Sequence, residues 1–187
     1  MNNLRNLIFG SIVAMIVVLM GVSGAGKTTV GKLLADSLHW KFSDADDFHS
    51  QANIDKMSLG IPLEDVDRLP WLLELQAAIN NWLVEKQNVV LACSALKASY
   101  RKMLCRDKQQ IKIFYLKGSF GLLTERLKNR ENHYMKADLL SSQLATLEPP
   151  QDAIVIDASQ SLEVIVQFLI NSIGTAGAGN LLPGNEN

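Results

Sequence analysis

The sequence predicts an α/β fold, a parallel sheet flanked by helices. Three observations carry that expectation. Five short apolar runs alternate with segments of helical periodicity, as in strand–helix–strand crossovers. A glycine-rich stretch, "GVSGAGKT" at residues 21–28, lies between the first apolar run and the first helix. Chemistry-bearing residues cluster directly after the apolar runs, where parallel sheets bind their ligands.

The elements follow in order. "MIVVLM" reads as a strand, because parallel strands covered on both faces are continuously apolar. Residues 27–38 read as a helix with Val30, Leu33 and Leu34 on its apolar face. "WKFSDADDFH" supplies a short second strand and a carboxylate cluster. Residues 53–58 read as helical until "GIP" interrupts them. A longer helix covers 67–86, with Leu72, Leu75, Ile79, Trp82 and Leu83 as its stripe. "NVVLACS" is a strand and 95–105 a helix; "IKIFYLKG" is the fourth strand. Helices over 120–130 and 137–147 flank a polar stretch, "AIVIDAS" is the last strand, and 162–173 the last helix. All five strands are expected to be buried. The Gly-, Asn- and Pro-rich tail, 174–187, is expected to be disordered.

Composition narrows the function. The chain of 187 residues, 48% hydrophobic and 20% charged, suits one soluble domain. A net charge of −1 points away from a general nucleic-acid binder. Cys93 and Cys105 form no C-x-x-C pair and suggest no disulfide framework, which fits a cytoplasmic protein. The apolar run at 7–22 falls short of the about 20 residues that span a bilayer. A signal peptidase would have to cut inside the glycine-rich loop. No membrane association is expected. Residues 1–14 are set aside as an N-terminal extension that adds nothing to catalysis, with one domain over 15–173.

The glycine-rich stretch fits G-x-x-x-x-G-K-[ST], the phosphate-binding loop of nucleoside triphosphate enzymes. Its glycines let backbone N–H groups point inward, and the helix that follows favours anions at its start. Gly21, Val22, Ser23, Gly24, Ala25, Gly26, Lys27, Thr28 and Thr29 are the candidate nucleotide contacts. Lys27 can reach the β- and γ-phosphates, and the Thr28 hydroxyl can hold Mg²⁺. A plain glycine-rich turn is the alternative.

"SDADDFH" offers Asp44, Asp46, Asp47 and His49. Along an extended segment Asp44 and Asp46 point the same way. One can bind a metal-bound water while the other accepts a hydrogen bond from a substrate hydroxyl; the alternative is a solvated acidic turn capping a helix. In "CSALKASYR", Lys97 and Arg101 share a helical face, either for an anionic substrate or as a solvated stripe, and Ser94 can cap that helix. Arg126 and Arg130, also four apart, suit a mobile lid over a triphosphate, or an ordinary basic helix end. No D-x-x-G occurs, and "MKAD" is a defective N-K-x-D, which argues against a GTPase switch. Asp157 ends a Walker B-like run but reads as a loop residue near the adenine, or a cap.

Together "MGVSGAGKTTVG", "DADDFH", "NIDKMSLGIPLEDVDRLPWL", "CSALKASYR", "FYLKG" and "LLSSQLATLEPP" resemble the gluconokinases of the small P-loop type, over residues 15–173. The resemblance implies the fold of nucleoside monophosphate and shikimate kinases: a five-stranded parallel sheet, order 2-3-1-4-5, with a mobile lid. It implies ATP-dependent phosphorylation of D-gluconate to 6-phosphogluconate with Mg²⁺ in a homodimer. Residue by residue, Asp44 would reach Mg²⁺ through water and Asp46 would activate the substrate hydroxyl. His49, Lys56, Arg68, Lys97 and Arg101 would serve the gluconate side, with Arg68 suited to a carboxylate. Arg126 and Arg130 would cover ATP. "NHY" (Asn132, His133, Tyr134) stands where the family usually has "GHF". The alternatives are a kinase of another hydroxy acid such as shikimate, and a non-catalytic nucleotide-binding regulator.

Overall fold

A computed structural model describes residues 13–129 and 136–177. Five strands alternate with helices: β1 (Ile16–Met20), α1 (Lys27–Leu38), β2 (Lys41–Asp44), a 3-10 turn (Ala45–Phe48), α2 (Gln51–Ser58), α3 (Asp65–Val84) and β3 (Val89–Ala92). Then come α4 (Ala98–Leu104), β4 (Ile111–Lys117), α5 (Phe120–Lys128), α6 (Lys136–Thr146), β5 (Ile154–Asp157) and α7 (Leu162–Gly177). All pairings are parallel and the sheet order is β2-β3-β1-β4-β5, as expected.

Alternation along β1 divides the interior into two cores. Val17 and Leu19 face α1, α5 and α7 through Val30, Leu34, Leu123 and Leu169. Ile16, Val18 and Met20 face α3 and α4 through Leu72, Leu75, Ile79 and Leu104. Strand β1 lies mid-sheet and is wholly buried, which is why it reads as unbroken apolar sequence. The edges differ from expectation. Strand β5 exposes Ile154 (42%) and Val155 (53%), because nothing pairs with its outer side among the described residues.

Several boundaries also differ. Leu33 is exposed, and Gly31 takes the inner position, where a Cβ would come within 2.6 Å of the Phe42 ring. Helix α4 starts at residue 98 rather than 95, because Ala95 has a positive φ of 44°. Helix α7 continues through Gly177, so residues 174–177, assigned to the tail, are helical. Ala14, assigned to the extension, is buried, and its carbonyl accepts from Gln110 Nε2 at 3.2 Å. Residues 178–187 lie outside the described residues. No described helix is long and apolar enough to cross a membrane.

Candidate active site

The carboxyl ends of β1, β2 and β3 open onto a cavity of about 640 Å³. Ser23 and Lys27 line it from the glycine-rich loop, Asp46 and His49 from the turn after β2, and Arg68 and Trp71 from α3. Ser94 and Tyr100 enter from the β3–α4 region, and Leu139, Ser142 and Gln143 from α6.

The loop has the conformation its glycines permit. Gly24 has φ +83° and Gly26, the N-cap of α1, has φ +96°. Lys27 Nζ donates to the Val22 carbonyl at 3.1 Å, folding the side chain back along the loop. Arg126 lies beside the loop, its Nη1 3.7 Å from where a Cβ on Gly26 would sit. Its Nη2 donates to the Ala158 carbonyl at 2.8 Å, joining α5 to the segment after β5. Asp157 caps its own turn by accepting from the Ser159 amide at 2.9 Å. Arg130, Asn132, His133 and Tyr134 lie outside the described residues.

The carboxylates meet the loop through Asp44. The Thr28 hydroxyl donates to Asp44 Oδ2 at 2.8 Å, and Asp44 Oδ1 accepts from the Asp46 amide at 3.2 Å. The 3-10 turn begins at Ala45, so Asp46 reaches the cavity by that turn and not by strand alternation. Asp44 therefore caps the turn, the structural alternative for the acidic stretch, and at the same time meets the Thr28 hydroxyl. Thr28 and Asp44 form a pair of hard oxygen donors at the end of the loop. Such a pair suits Mg²⁺, which keeps several waters and takes few protein ligands. Among the described residues no cluster of three or more His, Cys, Asp or Glu side chains could hold a metal ion.

Asp46 is solvent-exposed at the cavity. Partial desolvation by the protein around it, and then the charge of Asp44, raise its carboxyl above the usual aspartate range; Lys27 and His49 partly oppose them. Burial lowers the His49 pKa, against the pull of Asp46. The His49 ring stacks on Trp71, centroids 4.6 Å apart, and Trp71 Nε1 donates to the Ala45 carbonyl at 2.7 Å. The tryptophan thus fixes the carboxylate turn against α3.

The basic candidates separate. Arg68 lines the cavity, with Nη1 3.3 Å from the Tyr100 hydroxyl and 3.7 Å from Asp65. Lys97, Lys56 and Arg101 are not brought to the cavity wall. Lys97 is the N-cap of α4 and donates to both oxygens of Asp65 at 2.7 Å, with Tyr100 donating to the same carboxylate. Lys56 pairs with Asp67 at 2.7 Å and ties α2 to α3. Arg101 is buried, and its Nη1 donates to the carbonyls of Ala95 and Leu96 at 3.0 and 2.9 Å. Lys97 precedes the helix that Arg101 occupies, so no shared face and no solvated stripe exists. Ser94 caps no helix, since α4 begins at 98; the Ala98 amide is capped by Glu148 Oε2 at 2.7 Å.

A family model described as shikimate kinase matches residues 23–173. Gluconokinase from Gluconobacter oxydans is 46% identical over 160 residues, spanning 82% of this chain and 88% of that protein. The chain belongs to the gluconokinase family. A gluconokinase structure from Sinorhizobium meliloti is 40% identical with a TM-score of 0.76, covering 88% of this chain and 93% of that one. An unliganded sugar kinase structure from Janibacter sp. HTCC2649 is 39% identical with a TM-score of 0.80, covering 88% and 97%. Shikimate kinase structures from Aquifex aeolicus, Bacteroides thetaiotaomicron and Acinetobacter baumannii are 18%, 20% and 23% identical, a likeness of fold alone. As a member of the gluconokinase family the protein is a kinase with an alcohol acceptor.

The cavity wall of this gluconokinase-family chain also includes residues that the sequence does not single out, among them Trp71, Tyr100 and Gln143. Each of these three lies inside a stretch that carries the resemblance, "DVDRLPWL", "CSALKASYR" and "SQLATLEPP". Their signal was membership of those stretches. Nothing in the spacing told which member faces the cavity.

Proposed function

We propose that the protein transfers the γ-phosphoryl group of ATP to the primary hydroxyl of D-gluconate, giving 6-phospho-D-gluconate, as a cytoplasmic homodimer. The observation that supports this most is that a phosphate-loop lysine, a carboxylate and a carboxylate-seeking arginine share one cavity: Lys27, Asp46 and Arg68.

In this reading residues 21–29 and Arg126 hold the triphosphate, and Arg130 joins them from the lid. Thr28 and Asp44 would hold Mg²⁺, which when bound neutralises charge on the phosphate oxygens. Arg68 anchors the gluconate carboxylate, with Tyr100 and Asp65 setting its direction. An arginine fork matches a carboxylate in two parallel hydrogen bonds. His49, held flat on Trp71, presents a ring nitrogen to the sugar-acid hydroxyls. Asp46 aims the attacking hydroxyl and accepts its proton. Lys97, Lys56 and Arg101 act behind the cavity. The two lysines hold Asp65 and Asp67 at the start of α3, and Arg101 braces the loop at 95–96.

The test is ADP release by the purified protein with gluconate, shikimate or water as acceptor. Gluconate turnover at least 100-fold above the other two is expected. Faster turnover of shikimate would move the protein to a different hydroxy acid. ATP binding without turnover of any sugar acid would make it a nucleotide-binding regulator.

A further inference from the structure

The stretch "SQLATLEPP" has so far been given no task in the reaction. Its Gln143 carboxamide oxygen accepts from the backbone amide of Ser23 at 2.7 Å, across 120 positions of chain. Ser23 belongs to the phosphate loop, whose amides are its means of binding phosphate. One of those donors is therefore already taken by a side chain of α6. Only the carbonyl end of the carboxamide can accept this hydrogen bond, so its NH₂ end is directed elsewhere.

Helix α6 and the segment that follows it are anchored. Leu140 is fully buried, the Glu148 amide donates to the Leu96 carbonyl at 3.0 Å, and Glu148 caps α4. Gln143 is thus held at the loop by the fold. A phosphate oxygen is charged and accepts from an amide more strongly than a neutral carboxamide. An incoming triphosphate can displace Gln143, at the cost of the bond it breaks. The displaced carboxamide stays in the cavity it already lines, one that Ser142, Arg68 and His49 line as well. It carries two donors and one acceptor, a match for a polyhydroxy acid.

We propose that Gln143 is a specificity-determining residue that holds the Ser23 amide in the empty enzyme, yields it to nucleotide phosphate, and then offers its carboxamide to the acceptor. The acceptor half rests on the function proposed above; the nucleotide half rests on the loop alone. Two consequences follow. Gln143 competes with the nucleotide, so its removal tightens nucleotide binding, the opposite of losing a ligand-binding residue. Its release by nucleotide also strengthens acceptor binding, so the two substrates bind cooperatively.

Calorimetry with a non-hydrolysable ATP analogue and no acceptor tests the first consequence. Gln143→Ala should bind the analogue about 2- to 10-fold more tightly than wild type, the range of one net hydrogen bond. Gln143→Glu should bind it more than about 10-fold more weakly, because a carboxylate holds the amide harder and repels the triphosphate. Equal or weaker binding by Gln143→Ala overturns the competition. If the alanine variant does not fold, unchanged binding by Gln143→Glu overturns it instead. Gluconate titrations with and without saturating analogue test the second consequence. Wild type should gain about threefold or more in gluconate affinity from the analogue, an effect at the lower end of allosteric couplings; Gln143→Ala should lose most of that gain. An undiminished gain in Gln143→Ala overturns the hand-over. Wild-type protein that binds the analogue and never gluconate overturns the proposed acceptor, and the acceptor-free titration still decides the competition.

Discussion

Replacing Asp46 by asparagine keeps the shape of the side chain and one carbonyl acceptor while removing its charge and its ability to take a proton. The carboxyl that is lost lines the cavity, where partial desolvation and the charge of Asp44 both raise its pKa. A carboxylate with a raised pKa is a better proton acceptor than an ordinary one. General acid–base catalysis is worth about 10²–10⁴-fold. Phosphoryl transfer through a loose transition state asks less of a base, so the expected kcat loss for Asp46→Asn is on the order of 10². Affinity for ATP should stay within a few fold, since Lys27, Thr28 and the loop backbone are untouched. Stability should move the other way. In the fold Asp46 holds its proton to higher pH than in the unfolded chain, so stability falls as pH rises through that window. At neutral pH the ionised carboxylate opposes folding, and the asparagine variant should melt at the same temperature or higher. Wild-type kcat/KM should fall on the acid side as Asp46 protonates, at a pH above that of an ordinary aspartate. Steady-state kinetics and a thermal melt, run on one preparation, check both signs. Retention of more than about a tenth of wild-type kcat, well short of that estimate, would refute the base assignment and pass the role to Asp44 or a bound water.

Arg68→Ala should raise KM for gluconate by about 10- to 100-fold, the scale of a charge-assisted hydrogen bond, with kcat within a few fold; a fall in kcat at unchanged KM would remove Arg68 from substrate binding. Gly24→Ala should destabilise the protein by about 1–3 kcal/mol, the cost of an alanine in a left-handed conformation. Its Cβ would also stand 3.0 Å from the Leu123 carbonyl oxygen, so a melting curve like that of wild type would contradict the loop geometry. Arg130→Ala should lower kcat strongly with ATP affinity within a few fold, as an arginine that acts mainly in the transition state requires; a change confined to KM for ATP would assign it to ground-state binding.

Residue periodicity made most of the architecture legible. Helix α1 begins and ends at the residues its pattern marks, and all five strands lie where the apolar runs stand. These are local properties: hydrophobic period, glycine tolerance and the start of a helix each depend on near neighbours in the chain. Burial of the edge strands did not follow, because Ile154 and Val155 are as apolar as residues of β1 and only pairing decides which strand ends the sheet.

The sequence by itself determined the phosphate loop, the carboxylates after β2 and the family to which they belong, since each is written in contiguous residues with a fixed chemical use. It could not decide among the basic residues. Arg68, Lys56, Lys97 and Arg101 all stand in stretches that carry the resemblance, yet only Arg68 reaches the cavity wall. The others are held by Asp67, by Asp65 and by the carbonyls of residues 95 and 96. A charge alone does not say where it points; its direction is set by the partner that the fold brings within about 3 Å. The same reason hid Gln143, whose partner lies 120 residues away at Ser23. Separation along the chain carries no record of such a pair, and only the packing of α6 across the open end of the sheet brings its two atoms together.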